Sequence, residues 1–269
     1  MGRVVFKISI GFVTGALIVL AISLYLAIHY LTEQLRLAET GDLRGARAEV
    51  ERAALLDPFS SDPLSSEAYL QVRQGQTEAA AETFREAIRR EPVNYKNYMD
   101  LGDLQRQQLS DPRAAAESYR EALKRNPHAT VVVARLAETL ASIQDYEGAK
   151  SQYQWLREQG KIPLRGLYTL GQIQTRLGDP GEAIETFEDA KEEADAGSES
   201  LDESEEAQRK DFVESLDLAI ADALVVQGLY DEARETLSRS TAAQAPAVLA
   251  LLDDDPEAYR ESVLEAPIN

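Results

Sequence analysis

The sequence predicts an all-α protein: an array of helix–turn–helix repeats that follows one helix of membrane length. Three observations predict it. An amphipathic pattern recurs at a nearly constant interval, its first copy being Ala46, Val50 and Ala53. Glycine precedes most copies and proline follows most of them. The first apolar run, Ile8 to Ile28, carries no charge.

The length of 269 residues suits one large or two small domains. There is no cysteine, so disulfides, thiolate nucleophiles, cysteine-held metals and a lipidated N-terminal cysteine are excluded. The two histidines, His29 and His128, lie far apart in sequence, which argues against a histidine metal site or catalytic triad. The net charge is −19. No acid precedes Glu33, so nearly all of the acidity follows the apolar run. Such a surface repels a phosphate backbone, and nucleic acid is not an expected partner. Arginine outnumbers lysine, 21 to 7, a weak pointer to a salt-adapted host or a GC-rich genome.

The run ISIGFVTGALIVLAISLYLAI covers residues 8–28. As a helix it spans about 30 Å, the thickness of a bilayer core. Tyr25 and Tyr30 sit at its far end, where amphipathic rings favour the interface. A cleaved signal peptide has a shorter apolar core, and here the small pair Ala21 and Ser23 lies inside the run. Gly11 and Gly15 form a G-x-x-x-G, the feature that would bring two such helices together. Arg3 and Lys7 place the N-terminus in the cytoplasm and the rest outside it, against the weaker pull of Arg36, Arg44 and Arg47. The expected partner of Ile8–Ile28 is the lipid bilayer.

The copies read Ala46-Val50-Ala53-Pro58, Ala80-Phe84-Ala87-Pro92 and Ala115-Tyr119-Ala122-Pro127. Ala149-Tyr153-Leu156, Ala183-Phe187-Ala190 and Ala233-Leu237-Ser240 follow, with proline late or absent. The first alanines are 34, 35, 34, 34 and 50 residues apart. An alanine lets two helices cross closely, and the large residue four places on lies one turn further along the same face. Gly41, Gly75, Gly178 and Gly228 stand five residues before their alanines, where a left-handed residue closes the preceding helix. The preceding helices carry their own marks: Tyr98-Leu101-Gly102, Leu136-Ala137, Leu167-Leu170-Gly171 and Ile220-Ala221.

Taken together, these residues resemble the tetratricopeptide repeat family, over residues 30–247. The resemblance implies a right-handed α-solenoid of stacked helix pairs with a concave groove. Departures from the pattern are local. The third repeat holds one extra residue in the turn Leu109-Ser110-Asp111-Pro112. The long interval contains Glu188–Glu214, with twelve acids and three bases. There a helix runs on through Lys191–Ala196, then a solvated loop or an extended helix follows. The sharper alternative is a docking stretch for a basic partner or a cation. The first repeat's leading helix would start at Ala27, so the membrane helix continues unbroken to Glu39.

The expected division is a basic tail over 1–7, a transmembrane helix over 8–29 and repeats one to five over 30–197. An acidic loop over 198–212, a sixth repeat over 213–247 and capping helices over 248–269 follow. Val248, Leu249, Leu251, Leu252, Tyr259, Val263 and Leu264 are the expected cap. Trp155 is expected in the core.

The resemblance also implies where a partner binds, since the first helices line the family's groove. The matching positions are Tyr69 and Val72, then Lys96, Met99, Asp103 and Arg106. Further along they are Glu138, with Arg135 as its neighbour, then Arg165, Tyr168 and Gln172, with Arg176 next to a lining position. Arginine and tyrosine suit sites where binding energy concentrates. The lysine–asparagine carboxylate clamp of the chaperone-binding branch is absent. No phosphate loop, nucleophile elbow or zinc-protease motif is present, and no enzyme, cofactor or metal is expected.

The expected function is a membrane-anchored adaptor for a protein or peptide partner within an envelope complex. Two alternatives remain. Residues 55–70, LLDPFSSDPLSSEAYL, resemble the tail of O-antigen ligase-like polymerases, which suggests an accessory role in polysaccharide polymerisation or ligation. A self-assembling homo-oligomer, stacked end to end or through Gly11 and Gly15, is the other.

Overall fold

A computed structural model describes residues 2–196 and 202–268, the backbone alone for residues 2–12. Part of the acidic stretch, 197–201, thus lies outside the described residues, as does the side-chain setting of Gly11. Fourteen α-helices, and no strands, occur among the described residues. They fall into two compact units, residues 1–127 and 128–269.

The first unit holds α1 (Gly2–Glu39), α2 (Leu43–Leu56), α3 (Asp62–Arg73), α4 (Thr77–Arg90), α5 (Tyr95–Gln107) and α6 (Pro112–Arg125). Helix α1 is one unbroken element of 38 residues. Its last three turns pack on α2, burying Ala27, Gln34 and Ala38. The first core layer is Ala38, Ala46, Val50 and Leu70. Further on, Ala68, Ala80, Ala81, Phe84, Leu101 and Leu104 form the next.

Successive connections are stitched to each other. Ser61, fully buried, donates its hydroxyl to Glu91 Oε2 at 2.8 Å and accepts from Asn97 Nδ2 at 3.0 Å. Burial works against the Glu91 charge, but hydrogen bonds from Ser61 and Asn94 leave its carboxyl below its ordinary value. The Arg125 guanidinium stacks 4.0 Å from the Tyr98 ring centroid and donates to Pro92 O at 3.0 Å.

The second unit holds α7 (Thr130–Ser142), α8 (Tyr146–Glu158), α9 (Leu164–Leu177), α10 (Pro180–Ala196), α11 (Glu203–Gln227), α12 (Tyr230–Arg239), α13 (Ala245–Asp254) and α14 (Pro256–Glu265). One core layer is built from Leu167, Ala183, Phe187, Ala190, Leu216, Ala219 and Ala223. The last gathers Ala221, Val225, Ala233, Leu237, Ala242, Ala245 and Leu252.

The repeat grammar has a direct physical basis. Building a Cβ on Gly102 would bring it 2.6 Å from the Tyr119 ring, and on Gly171 2.4 Å from the Phe187 ring. In these two repeats the small residue on the first helix is therefore the slot for the aromatic of the second. Five residues before each first alanine the backbone is left-handed: φ is 86° at Gly41, 73° at Gly75, 52° at Ser110, 63° at Gln144, 86° at Gly178 and 84° at Gly228. Reversed hydrogen bonds close these turns, as in Gly178 N to Thr175 O and Asp179 N to Gln174 O. The extra residue of the third repeat is absorbed in a wider loop, with Asp111 N reaching back to Gln105 O.

Three expectations are resolved or corrected. Residues 203–212, expected as part of an acidic loop or as an extended helix, take the helical form as the first turns of α11. Asp202 caps that helix and forms a reciprocal capping box with Glu205, and the acids Glu203, Glu205 and Glu206 suit a helix N-terminus. In the terminal cap, Leu252 and Val263 are buried, whereas Leu251 and Leu264 are exposed. Trp155 is only half-buried, the core positions of α8 being Ala149, Tyr153 and Leu156.

Candidate partner-binding surface

In the first unit, α3 and α5 supply the expected surface. Tyr69 is 47% exposed, with its ring edge-on to the buried Phe84 at 5.3 Å between centroids. Lys96, Met99, Asp103 and Arg106 recur at three- and four-residue steps, so they share one face of α5. Lys96 is exposed, and the other three are half-buried. Asp103 is anchored from below: the Tyr119 hydroxyl donates to its Oδ1 at 2.7 Å, and that tyrosine is fully buried. The result is a mixed face of an aromatic ring, a thioether, two cations and one carboxylate. Between α2, α3 and α4 lies a cleft of about 350 Å³, lined by Val50, Ala54, Pro63 and Leu64 with Arg47, Glu67 and Arg90 at its edge.

The second unit divides the remaining residues into two groups. Arg135 and Glu138 lie on α7, half-buried and exposed respectively, and Arg165 is exposed at the start of α9. Tyr168, Gln172 and Arg176 do not form an open surface. The Tyr168 ring packs between Phe187 and Phe212, at 6.0 and 6.1 Å, and burial raises its hydroxyl above the ordinary value. Arg176 donates from Nε and Nη2 to Ala266 O at 2.8 and 2.6 Å. Burial lowers its pKa from the ordinary arginine value.

The cover over these residues is the chain's own C-terminus. Helix α14 packs on α11 and touches α9. Its Tyr259 hydroxyl donates to Asp222 Oδ1 at 2.7 Å, and Arg260 Nε donates to Val226 O at 3.1 Å. Between them a cavity of about 230 Å³ is lined by Gln172, Arg176, Asp222, Tyr259 and Val263 among others. Burial pushes the Asp222 carboxyl up to about 6, against the opposing effects of the Tyr259 hydrogen bond and the Arg176 charge. The face assigned to a partner from sequence is thus occupied by α14 at its Gln172–Arg176 end. Nothing local in the sequence links Asp222, Tyr259 and Arg260; Tyr259 and Val263, one helical turn apart, are the signal it offers.

The tetratricopeptide repeat model matches residues 65–130 and 134–199. No curated protein sequence matches the chain. Among solved structures, MamA is similar at 18% identity and a TM-score of 0.54, over 65% of this chain and 97% of that one. A tetratricopeptide repeat protein from Parabacteroides merdae is similar at 16% identity and a TM-score of 0.55, over 89% of this chain and 90% of that one. A chain of the Naa15/Naa10 assembly bound to HypK is similar at 18% identity and a TM-score of 0.59, over 89% of this chain and 39% of that one. With the repeat spacing, the small-residue slots and the left-handed turns described above, the chain belongs to the tetratricopeptide repeat family.

Proposed function

We propose that the chain is a membrane-anchored, non-catalytic scaffold. Helix α1 spans the bilayer, and the first-helix face of the first unit binds a segment of a protein partner within an envelope assembly. The observation that carries this reading is the make-up of α1. The consecutive residues Leu17, Ile18, Val19 and Leu20 are 60%, 55%, 64% and 54% exposed, so the helix is apolar and uncovered on every side. Water disfavours such a surface and a bilayer accepts it. From Ala27 onward the same helix is the first member of the first repeat. No flexible linker separates anchor and repeat. Arg3 and Lys7 before the apolar run favour a cytoplasmic N-terminus and repeats on the far side.

A protein or peptide partner, not a nucleic acid, suits the charge of −19. The face formed by Tyr69, Lys96, Met99 and Arg106 offers residue types that carry interface energy. Arg135 and Arg165 extend the candidate set in the second unit. The test is affinity capture of the full-length chain from its own membranes. Lys96→Glu with Arg106→Glu, and separately Arg135→Glu with Arg165→Glu, are expected to remove captured partners while circular dichroism is unchanged. Undiminished capture by both variants would contradict the groove reading. Protease accessibility in sealed vesicles tests the orientation.

A further inference from the structure

Beyond α1, the exposed large hydrophobic residues of the first unit are Leu55, Phe59, Tyr69 and Val93 among the described residues. Tyr69 belongs to the candidate binding face. The other three are 82%, 84% and 82% exposed, and they share one edge. That edge is where second helices end and first helices begin.

Its position relative to α1 can be derived. Helix α1 runs away from its apolar end, the chain reverses at Gly41, and α2 runs back. The Arg52 guanidinium on α2 lies 5.8 Å from the Tyr30 ring centroid. Helix α2 continues from there to Leu56, about 6 Å further at the rise of an α-helix. Ala27, inside the apolar run, is only 4% exposed and so is covered by protein. The connection 57–61 therefore stands level with the last turns of the run Ile8–Ile28. Ser61 ties it to Glu91 and Asn94, which hold the next connection and Val93 beside it.

We infer that this edge lies in the interface of the membrane that α1 crosses, with Leu55, Phe59 and Val93 inserted at the boundary of headgroups and acyl chains. The inference rests on the reading of α1 as a span. The occupant is lipid because the edge is continuous with the segment that enters the bilayer. Charge is not the driving force. Arg89 pairs with Glu86, and Lys124 and Arg125 pair with Glu121, while Asp57 and Asp62 flank the first connection. Insertion is apolar, so it should persist at high salt. The opposite edge, at Gly41-Asp42 and Gly75-Gln76, exposes small and polar residues only.

The absence of native cysteine makes single spin labels straightforward. The full chain is reconstituted in vesicles of phosphatidylethanolamine and phosphatidylglycerol as Phe59→Cys, Val93→Cys, Gln76→Cys or Val19→Cys, each checked by circular dichroism. Labels at 59 and 93 are expected to collide more with dissolved oxygen than with a water-soluble nickel chelate, at low and high salt alike. The label at 76 should show the reverse. If 19 is immersed while 59 and 93 are aqueous, the span stands and this inference falls. If 19 is itself aqueous, both fall. Shielding of 59 and 93 from both reagents would identify a protein contact and overturn the lipid assignment.

Discussion

Single residues explain why the repeats keep their phase. The turn residue five places before each first alanine needs a positive φ, and four of six copies supply glycine. Ser110 and Gln144 hold the same conformation with a side chain. A left-handed residue bearing a Cβ costs about 1 kcal/mol relative to glycine. Ser110→Gly and Gln144→Gly should each raise the unfolding free energy from chemical denaturation by about 0.5–1 kcal/mol. Gly178→Ala should lower it by about the same amount; a neutral outcome in all three would contradict the turn account. The slot glycines behave differently, because there the obstacle is an aromatic ring. Gly171→Ala would force the Phe187 ring away, with a loss of about 2 kcal/mol. The glycine turns were legible in the sequence. The equivalent roles of Ser110 and Gln144 were not, because neither residue type announces its backbone angle.

At the scale of elements, α11 and α14 differ most from the sequence expectation. The acidic stretch was read from its charge, and charge runs are commonly solvated loops. The local spacing Asp202-x-x-Glu205 was a helix-start signal within it. The helical pattern of α14 was also visible, but its position over α9 and α11 is a tertiary choice that no local pattern encodes. Its docking contains a titratable group. The Asp222 carboxyl is raised by burial to about 6 from 3.8, so the folded state favours its protonated form. The stabilising effect of the protonated form is fully present below about pH 4 and lost as pH rises through 6. Asp222→Asn should therefore be more stable than the native chain near pH 7.5, by on the order of 2 kcal/mol, and nearly equal to it near pH 4. Thermal unfolding at the two pH values checks this, and a pH-independent difference would contradict the burial account. Removing the Tyr259 hydroxyl with Tyr259→Phe should weaken α14 docking by about 1 kcal/mol, read as faster amide exchange in 256–265.

The architecture was the most legible property of the whole molecule, because a repeat period is written many times over. The apolar run was equally plain, and α1 joins it to the first repeat without a break. The candidate partner-binding face was only partly legible. Its first-helix positions in the first unit are displayed by α3 and α5, with Lys96 and Tyr69 open. In the second unit, Tyr168 packs between aromatic rings and Arg176 is engaged by Ala266. The central claim is that an anchored chain holds a protein segment against the open face of α3 and α5. Photo-crosslinking residues placed at 69, 96 and, as a control on the second helix α4, at 85 test it in intact membranes. The account predicts one discrete adduct from 69 and 96 and none from 85. Adducts from 85 alone, or none from any position, would contradict it.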